Sequence, residues 1–324
     1  MNAIQVHEPG PADNMKLEEV PIPEPASGEV LVRVAAAGVN FIDVYHRNGL
    51  YPIAERPFRI GMEGAGIVES TGPDVTGFKP GDKVAWAMVR GAYADYAIVP
   101  AAKLVVIPDE VEVPTAAQMM LQGMTAHYLT RSTFRLKEGD TCLVHAAAGG
   151  AGLMIVQMAK IAGARVIGTV GSDYKAEQAK SAGADEIILY RSQDFVEEVK
   201  KLTEGRGVDV VYDGVGKTTF EGSLNCLRPR GMMVLFGASS GPVPKFDLQM
   251  LNQKGSLFIT RPTLAHYCLT REGLMERAQD IFQWKIERKL QVFADRSYPL
   301  ADAPQAHKDL ERRKTSGKLT LTMS

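Results

Sequence analysis

Cysteine is scarce in this sequence: Cys142, Cys226 and Cys268 are its only three, and they lie far apart among 324 residues. No CxxC pair occurs, and three cysteines are too few for a four-cysteine structural zinc site. A sparse, odd count is typical of proteins in a reducing compartment. We therefore expect each cysteine to be a small, buried, apolar residue.

Long apolar runs are also missing. No run reaches the roughly 18 residues that a membrane span requires, and the N-terminal stretch lacks the basic and apolar regions of a secretory signal. Charge of one sign is not in excess, because 37 Lys and Arg stand against 38 Asp and Glu. These absences predict a cytoplasmic protein that does not associate with membranes and has no broad nucleic-acid footprint.

Glycine, by contrast, is abundant, with 31 residues, and the chain length suggests about two domains. Up to about residue 120, short β-type runs alternate with Gly and Pro turns, which predicts an antiparallel, barrel-like domain. Short apolar runs then alternate with helical segments as far as Phe236, which predicts βαβ units and a doubly wound parallel sheet. The alternation stops near Pro262, and we expect the tail, with a last strand at Lys318–Thr322, to return to the first domain. The predicted domains are therefore 1–124 with 262–324, and 125–261.

The most specific motif is the run from Ala147 to Gly152, which matches GxGxxG with Ala147 in the first glycine position. It lies between a predicted strand and a predicted helix, the context in which such a turn binds a dinucleotide. The turn must be tight, and the pyrophosphate then lies at a helix N-terminus, where free N–H groups and the helix dipole favour negative charge.

The end of the next strand indicates which nicotinamide cofactor is used. NAD-binding proteins carry Asp or Glu there, whereas this chain has Gly171 and Ser172, with Lys175 three residues later. A small residue, a hydroxyl and a lysine favour a 2′-phosphate, which predicts NADPH rather than NADH. Asp173 is interpreted as a helix N-cap that points away from the phosphate.

Several segments resemble one known group of proteins. The segments are Gly38–Tyr45, Gly49–Pro52, His145–Gly152, Gly168–Ser172, Leu251–Leu257 and Thr260–Pro262. They resemble the zinc-independent NADPH:quinone oxidoreductase, or zeta-crystallin-like, branch of the medium-chain dehydrogenase/reductase superfamily, and within it the bacterial quinone reductases most closely. The resemblance runs from about Ala3 to Met323. It implies an α/β protein with a GroES-like β-barrel-type catalytic domain, a Rossmann domain, an active-site cleft between them, and a homodimer formed through the Rossmann sheets.

The zinc ligands of the superfamily's alcohol dehydrogenases are absent. Those enzymes carry an early Cys-His pair and a later Gly-His-Glu. Here the first stretch, Gly38–Phe41, has no Cys, and Met62 stands between Gly61 and Glu63 where the His ligand would be. We expect no metal site and interpret Glu63 as a structural carboxylate. Without a Lewis acid, acceptors such as quinones and activated alkenes fit better than alcohols.

The resemblance also implies roles for individual residues. Tyr45 and Tyr51 would line the substrate pocket, and either could instead be a packing aromatic. The residues implied to bind the cofactor are Asn40, Phe41, Tyr45, Thr125, Tyr128, Gly149, Gly150, Ala151, Gly171, Ser172, Lys175, Tyr190, Phe236, Gly237, Ser240, Phe258, Thr260 and Arg313. Asp43 is interpreted as a helix-start carboxylate, and His127 and His145 as structural residues. No dedicated general acid and no Ser-His-Asp constellation is expected.

Three functions remain open at this point. The first is reduction of a quinone, or another small electrophilic acceptor, by NADPH. The second is an NADPH-dependent reductase of alkenal or enone double bonds, in which a positioned proton donor would matter more. The third is an NADPH-binding structural or RNA-binding protein, which the balanced charge disfavours.

Overall fold

The computed structural model describes residues 1–323, which divide into two compact units. The first unit comprises Met1–Met124, Tyr267–Arg288 and the chain from Val292 onward, and the second comprises Thr125–His266 with Lys289–Gln291. The assignment of 1–124 with 262–324 to one functional domain and of 125–261 to the other remains a proposal, and Ser324 lies outside the described residues.

The N-terminal part of the chain is mostly strand. Its elements are β1 (Asn2–Val6), β2 (Met15–Glu19), β3 (Glu29–Val39), α1 (Phe41–Arg47), β4 (Phe58–Arg59), β5 (Glu63–Thr71), β6 (Lys83–Ala87), β7 (Tyr96–Pro100), β8 (Val105–Val106) and α2 (Val113–Tyr128). Three of its strands form a small sheet in the order β2-β1-β4.

Strands and helices alternate through the second unit. Its elements are β9 (Thr141–Val144), α3 (Gly150–Ile161), β10 (Arg165–Val170), α4 (Asp173–Ser181), β11 (Glu186–Leu189), α5 (Phe195–Leu202), β12 (Val208–Asp213), α6 (Phe220–Asn225), β13 (Leu227–Leu235), α7 (Gln249–Gln253), β14 (Phe258–Thr260) and, at its end, α8 (Leu264–Tyr267). The chain then continues through α9 (Arg271–Ile286), β15 (Ala294–Pro299), α10 (Ala303–Glu311) and β16 (Lys318–Thr322).

Strand β3 is the centre of the main sheet of the first unit. It pairs antiparallel with β5, with β7 and with β16, which brings the last strand of the chain beside one of the first. Val30, Val32 and Val34 are buried, and the core that they join also contains the side chain of Trp86. The predicted antiparallel, barrel-type β domain and the returning tail are confirmed.

The second unit is built on six strands in the order β11-β10-β9-β12-β13-β14, and every pair is parallel. This is the strand order of the Rossmann fold, in which the first strand lies beside the fourth and the order reverses between them. Residues that follow the carboxyl ends of β9 and β12 therefore lie at the switch point, where such sheets bind ligands. The predicted doubly wound parallel sheet is confirmed.

The remaining differences from the sequence analysis have local causes. Helix α3 begins at Gly150, inside the glycine motif rather than after it, because the glycine turn leads directly into the helix despite the low helix propensity of glycine. The three cysteines are buried and free, as expected. Between residues 1 and 323, none of the helices is both long and apolar enough to cross a bilayer.

Candidate functional site

The glycine turn joins β9 to α3. A side chain at Gly152 would overlap the backbone carbonyl oxygen of Ala146, so this position requires glycine. No side chain caps the start of α3, and its first turn contains no acidic residue. The first N–H groups of α3 therefore remain available to an anion. Gly149, Gly150 and Ala151 lie at this N-terminus, where the helix dipole favours an anion, and their contact with a pyrophosphate stays a prediction.

An alanine occupies the first glycine position of the motif because the neighbouring strand leaves room for it. A Cβ atom at Gly168, on β10, would lie only 2.8 Å from the Cβ of Ala147. Ala147 is fully buried, and its N–H donates to the carbonyl oxygen of Thr169 at 3.1 Å. The missing side chain at Gly168 thus compensates for the methyl group of Ala147.

Of the four residues expected at the adenosine ribose, Gly171 and Ser172 follow β10, Lys175 lies in the first turn of α4, and Tyr190 follows β11. A Cβ at Gly171 would lie 2.7 Å from the hydroxyl oxygen of Tyr190, so a side chain at this position would clash with the phenol. Ser172 caps α4 and accepts a hydrogen bond from the backbone N–H of Lys175 at 3.5 Å. Asp173, interpreted above as the N-cap, is instead the first residue of the helix. The end of β10 itself carries no carboxylate.

Arg313 belongs to the first unit, whereas these four residues belong to the second. It follows α10 in the first unit, with a positive φ of 56°. Its contribution to a 2′-phosphate site stays a prediction.

The loop after β13 is bound tightly to the loop after β12. The Oγ of Ser240 donates to the carbonyl oxygen of Val215 at 2.8 Å and accepts from the N–H of Thr218 at 3.1 Å. A side chain at Gly237 would meet the carbonyl oxygen of Gly214 at 2.5 Å, so the two loops approach most closely where side chains are absent. Phe236, which precedes this glycine, donates its N–H to the carbonyl oxygen of Asp213 at 2.9 Å.

Four further predicted cofactor residues of the second unit lie on or next to regular elements. Phe258 and Thr260 are the first and last residues of the edge strand β14, and the side chain of Phe258 is 55% exposed. Thr125 and Tyr128 lie in the last turn of α2, where Tyr128 is buried. No structural observation assigns any of these four to a cofactor, and their roles stay predictions.

The predicted substrate residues form an aromatic cluster around α1. The ring centroids of Tyr45 and Tyr51 lie 5.2 Å apart in an edge-on arrangement, and those of Phe41 and Tyr45 lie 6.1 Å apart. The Tyr51 N–H donates to the carbonyl oxygen of Tyr45 at 2.9 Å, which fixes the loop after the helix. His46 extends the cluster, because its ring lies 6.0 Å from that of Tyr51.

Asn40 precedes this helix and has a fully engaged side chain. Its Nδ2 donates to Glu63 Oε2 at 2.8 Å, and its Oδ1 accepts from Lys318 Nζ at 2.8 Å and from Gln122 Nε2 at 3.1 Å. Lys318 also donates to Glu63 Oε2 at 2.5 Å, and the N–H of Leu121 donates to Glu63 Oε1 at 2.7 Å. The amide plane of Asn40 is therefore held in one orientation by a buried ion pair.

Sequence reasoning missed Lys318, since nothing in the sequence pairs it with a residue so far upstream. Glu63 is the structural carboxylate that the sequence analysis expected. Within the described residues 1–323, no three or more His, Cys, Asp and Glu side chains lie close enough together to hold a metal ion.

A second buried network orients α1 from its other side. Arg47 Nη1 lies 3.3 Å from His307 Nδ1, His307 Nε2 lies 3.1 Å from the Tyr93 hydroxyl, and that hydroxyl donates to Asp43 Oδ2 at 3.1 Å. Because arginine can only donate, Nδ1 of His307 accepts and Nε2 carries the proton. Burial raises the pKa of Asp43 to about 7, and burial together with the charge of Arg47 lowers the pKa of His307 to about 3.

Ser, His and Asp side chains do meet in the second unit, but in an order that does not activate the serine. His145 Nε2 lies 3.0 Å from Ser223 Oγ, and this hydroxyl donates to Asp213 Oδ2 at 2.9 Å. The serine proton therefore goes to the carboxylate, and the imidazole donates to the serine rather than accepting from it. All three side chains are buried, and burial lowers the pKa of His145. The network is structural and links β9, which leads into the glycine turn, to β12.

Comparison with known proteins connects these features to one group. Residues 26–109 match the family model of the alcohol dehydrogenase GroES-like domain, and residues 150–273 match that of the zinc-binding dehydrogenase. The chain is 46% identical to a quinone oxidoreductase of Pseudomonas aeruginosa over 92% of both chains, and 42% identical to a 2-haloacrylate reductase of a Burkholderia species over 98% of both. The crystal structure of an Escherichia coli quinone oxidoreductase complexed with NADPH matches 99% of this chain and 100% of its own, at a TM-score of 0.98 and 43% identity.

Proposed function

The chain belongs to the quinone oxidoreductase family of the medium-chain dehydrogenase/reductase superfamily, and we propose that it transfers reducing equivalents from NADPH to quinones. The observation that carries the proposal is the nucleotide half of the site. An uncapped helix N-terminus follows the glycine turn. Gly171, Ser172 and Tyr190 then lie just after β10 and β11, and Lys175 lies in the first turn of α4. NADPH, when bound, supplies the electrons that reduce the acceptor.

The protein's own contribution is binding and orientation. The N–H groups at the start of α3 bind the pyrophosphate, and the hydroxyl, ammonium and phenol groups at the ends of β10 and β11 bind the 2′-phosphate. Asn40, held by Glu63 and Lys318, anchors the start of α1, the helix that carries Phe41 and Tyr45, and its own contact with the nicotinamide stays a prediction. The rings of Tyr45 and Tyr51 offer flat apolar surface to a quinone. With NADPH bound, its hydride equivalent would leave the quinone one proton short of the hydroquinone, and solvent would supply that proton.

Zinc independence is part of the proposal and is supported by the bonding of Glu63. Its two carboxylate oxygens accept three hydrogen bonds, and the ammonium of Lys318 supplies the positive charge beside it. Met62 provides a thioether where the superfamily's zinc enzymes have imidazole. A quinone accepts electrons readily without polarisation by a Lewis acid, so the reaction does not require a metal there.

We also propose a homodimer formed through the parallel sheet of the second unit. Strand β14 is the last strand in the order of that sheet, and the exposed Phe258 gives this edge an apolar side chain. An unpaired strand edge of this kind is a surface on which a second copy can add its own strand. Light scattering of the purified protein measures the mass directly. A cytoplasmic location stays a prediction from the sequence.

Reduction of an activated alkene is the second candidate. The similarity to a 2-haloacrylate reductase favours it, since the match covers 98% of the chain. The same nucleotide site would serve both reactions, and the acceptor would differ.

Steady-state oxidation of NADPH and NADH, followed at the nicotinamide absorbance, separates these functions. The parallel acceptors are 1,4-benzoquinone, an enal and 2-chloroacrylate, each with and without EDTA. The proposal expects rapid NADPH oxidation with the quinone, slower oxidation with NADH, and no effect of EDTA. Turnover only with an alkene would instead assign the second candidate, and a preference for NADH would contradict the interpretation of Lys175.

A further inference from the structure

A small cavity of about 240 Å³ lies in the first unit and is rich in arginine. It is lined by Glu55, Pro57, Phe58, Arg59, Arg90 and Gly91. Pockets that enclose a whole drug-sized ligand usually measure about 300–1,000 Å³. This cavity is therefore of a size to take one substituent of a larger molecule rather than the entire molecule.

The charge around the cavity is positive. Arg90 Nη2 donates to Glu55 Oε2 at 3.0 Å, and the Glu55 carboxylate, 71% exposed, is the one acidic group in the lining. The neighbouring Arg56 is held by the carbonyl oxygens of Ile53 and Glu55, and its guanidinium lies 5.0 Å from the Phe58 ring centroid. Two guanidinium groups in the lining thus face one carboxylate.

Arg59 is the unusual member of this group. Its side chain is partly buried, and within residues 1–323 it has no hydrogen bond or ion pair to another side chain or to the backbone. Burial lowers the pKa of Arg59, and no carboxylate offsets this effect. A guanidinium remains charged in proteins and presents a fork of donors that matches a carboxylate or sulfonate. The donors of Arg59 have no protein partner among the described residues, so an anion in the cavity would gain charge-assisted hydrogen bonds from this guanidinium.

Two links connect the cavity with the aromatic cluster assigned to the acceptor, one along the chain and one through His46. Glu55 lies four residues after Tyr51, in the same loop. The charge of Arg90 acts on His46, whose pKa is lowered to about 4 by burial and by this arginine. The ring of His46 in turn lies 6.0 Å from that of Tyr51. An acceptor lying against Tyr45 and Tyr51 can therefore direct a substituent towards the arginines.

We infer that this cavity is a subsite for an anionic substituent of the electron acceptor, a carboxylate or a sulfonate, bound by Arg59 and Arg90. The inference rests on the proposed function, because it assigns the acceptor to the aromatic cluster. It predicts that anionic quinones are better acceptors than their uncharged counterparts, since charge-assisted hydrogen bonds to the two guanidinium groups favour the anion. The Glu55 carboxylate opposes binding of the anion, because it competes for the guanidinium of Arg90.

The test compares 1,2-naphthoquinone-4-sulfonate with 1,2-naphthoquinone as acceptors for NADPH at low ionic strength. Arg59→Gln and Arg90→Gln should each lower the ratio of kcat/KM for the sulfonated over the uncharged quinone about tenfold. Glu55→Gln should raise the same ratio, because it removes the competing carboxylate. Arg33→Gln is the matched control, since Arg33 lies outside the cavity lining and pairs with Glu69 on the surface. An unchanged ratio in both arginine variants would overturn the inference.

A second measurement separates this inference from the proposed function. Binding of naphthalene-1-sulfonate, followed by its fluorescence, does not depend on turnover. Binding that weakens in Arg59→Gln and strengthens in Glu55→Gln supports the subsite even if neither quinone is reduced. Failure of the wild-type protein to bind this anion, together with equal kcat/KM values for the two quinones, rejects the subsite and leaves quinone reduction intact.

Discussion

Lys318 donates a hydrogen bond to Glu63 across 2.5 Å, and both side chains are buried although 255 positions separate them in the sequence. The contact forms because β16 pairs with β3 at the centre of the first sheet. It brings Lys318, from the last strand, within hydrogen-bond distance of Asn40, the residue that precedes α1. A buried charge is tolerated only with a well-bonded partner, so each member of this pair depends on the other.

Lys318→Met should destabilise the protein by about 3–5 kcal/mol, because it leaves Glu63 buried without its counter-charge. The double variant Glu63→Gln with Lys318→Met should recover much of this loss, since no uncompensated charge remains. Urea unfolding of the holoprotein and the apoprotein measures both effects. Lys200→Met, which removes an exposed lysine on α5, is the control. A single variant as stable as wild type would contradict the interpretation of the pair.

The same pair shows which features of the fold could not be predicted from the sequence. The bounds of β16 were predictable from its alternating apolar residues, but that alternation assigns Lys318 and Thr320 to an exposed face, whereas both are buried. Burial of the lysine depends on Glu63, and no local pattern carries that information. The parallel sheet was predictable because its strands and helices alternate regularly. Of helix α1 the sequence predicted only the helix-start role of Asp43, which accepts from the N–H of Asn40 in a capping box. The further bonds to Asp43 from Met62 and Tyr93 are long-range, and no local pattern predicts them.

Preference for NADPH should depend on Lys175. Lys175→Gln is expected to lower the ratio of kcat/KM for NADPH over NADH about tenfold or more, because a charged hydrogen bond to the 2′-phosphate is lost. Parallel steady-state assays with the two nucleotides measure this ratio. Lys180→Gln, in the last turn of the same helix, is the matched control. Equal losses with both nucleotides would show that Lys175 acts on the fold of α4 rather than on the phosphate.

The compensation between Ala147 and Gly168 can be measured as a coupling energy. Gly168→Ala should destabilise the protein by about 1–3 kcal/mol, since the new methyl group would lie 2.8 Å from that of Ala147. Adding Ala147→Gly should return part of that stability. A double-mutant cycle in urea gives the interaction directly, and strictly additive effects would show that the two positions do not share this space.

Stability at acid pH should depend on His307. Its pKa is about 3 in the folded protein and 6.5 is its ordinary value, so between these values only the unfolded chain binds the proton. Stability from this group is therefore complete above pH about 6.5 and is lost as the pH falls towards 3. His307→Gln should cost more at pH 7 than at pH 4, by an amount on the order of a few kcal/mol. Asp43, with a pKa raised to about 7, has the opposite slope, so the comparison with wild type at each pH is needed to isolate His307.

The hydroxyl of Tyr45 tests whether the acceptor site works by orientation or by proton donation. Tyr45→Phe keeps the ring that packs 5.2 Å from Tyr51 and removes only the hydroxyl group. If catalysis depends mostly on proximity and orientation, kcat with 1,4-benzoquinone should fall less than about tenfold. Tyr298→Phe, which removes a hydroxyl bonded to Asp309, is the control. A thousandfold loss in the Tyr45 variant would identify this phenol as a dedicated proton donor, and the same loss with an alkene acceptor alone would identify the alkene as the substrate that requires one.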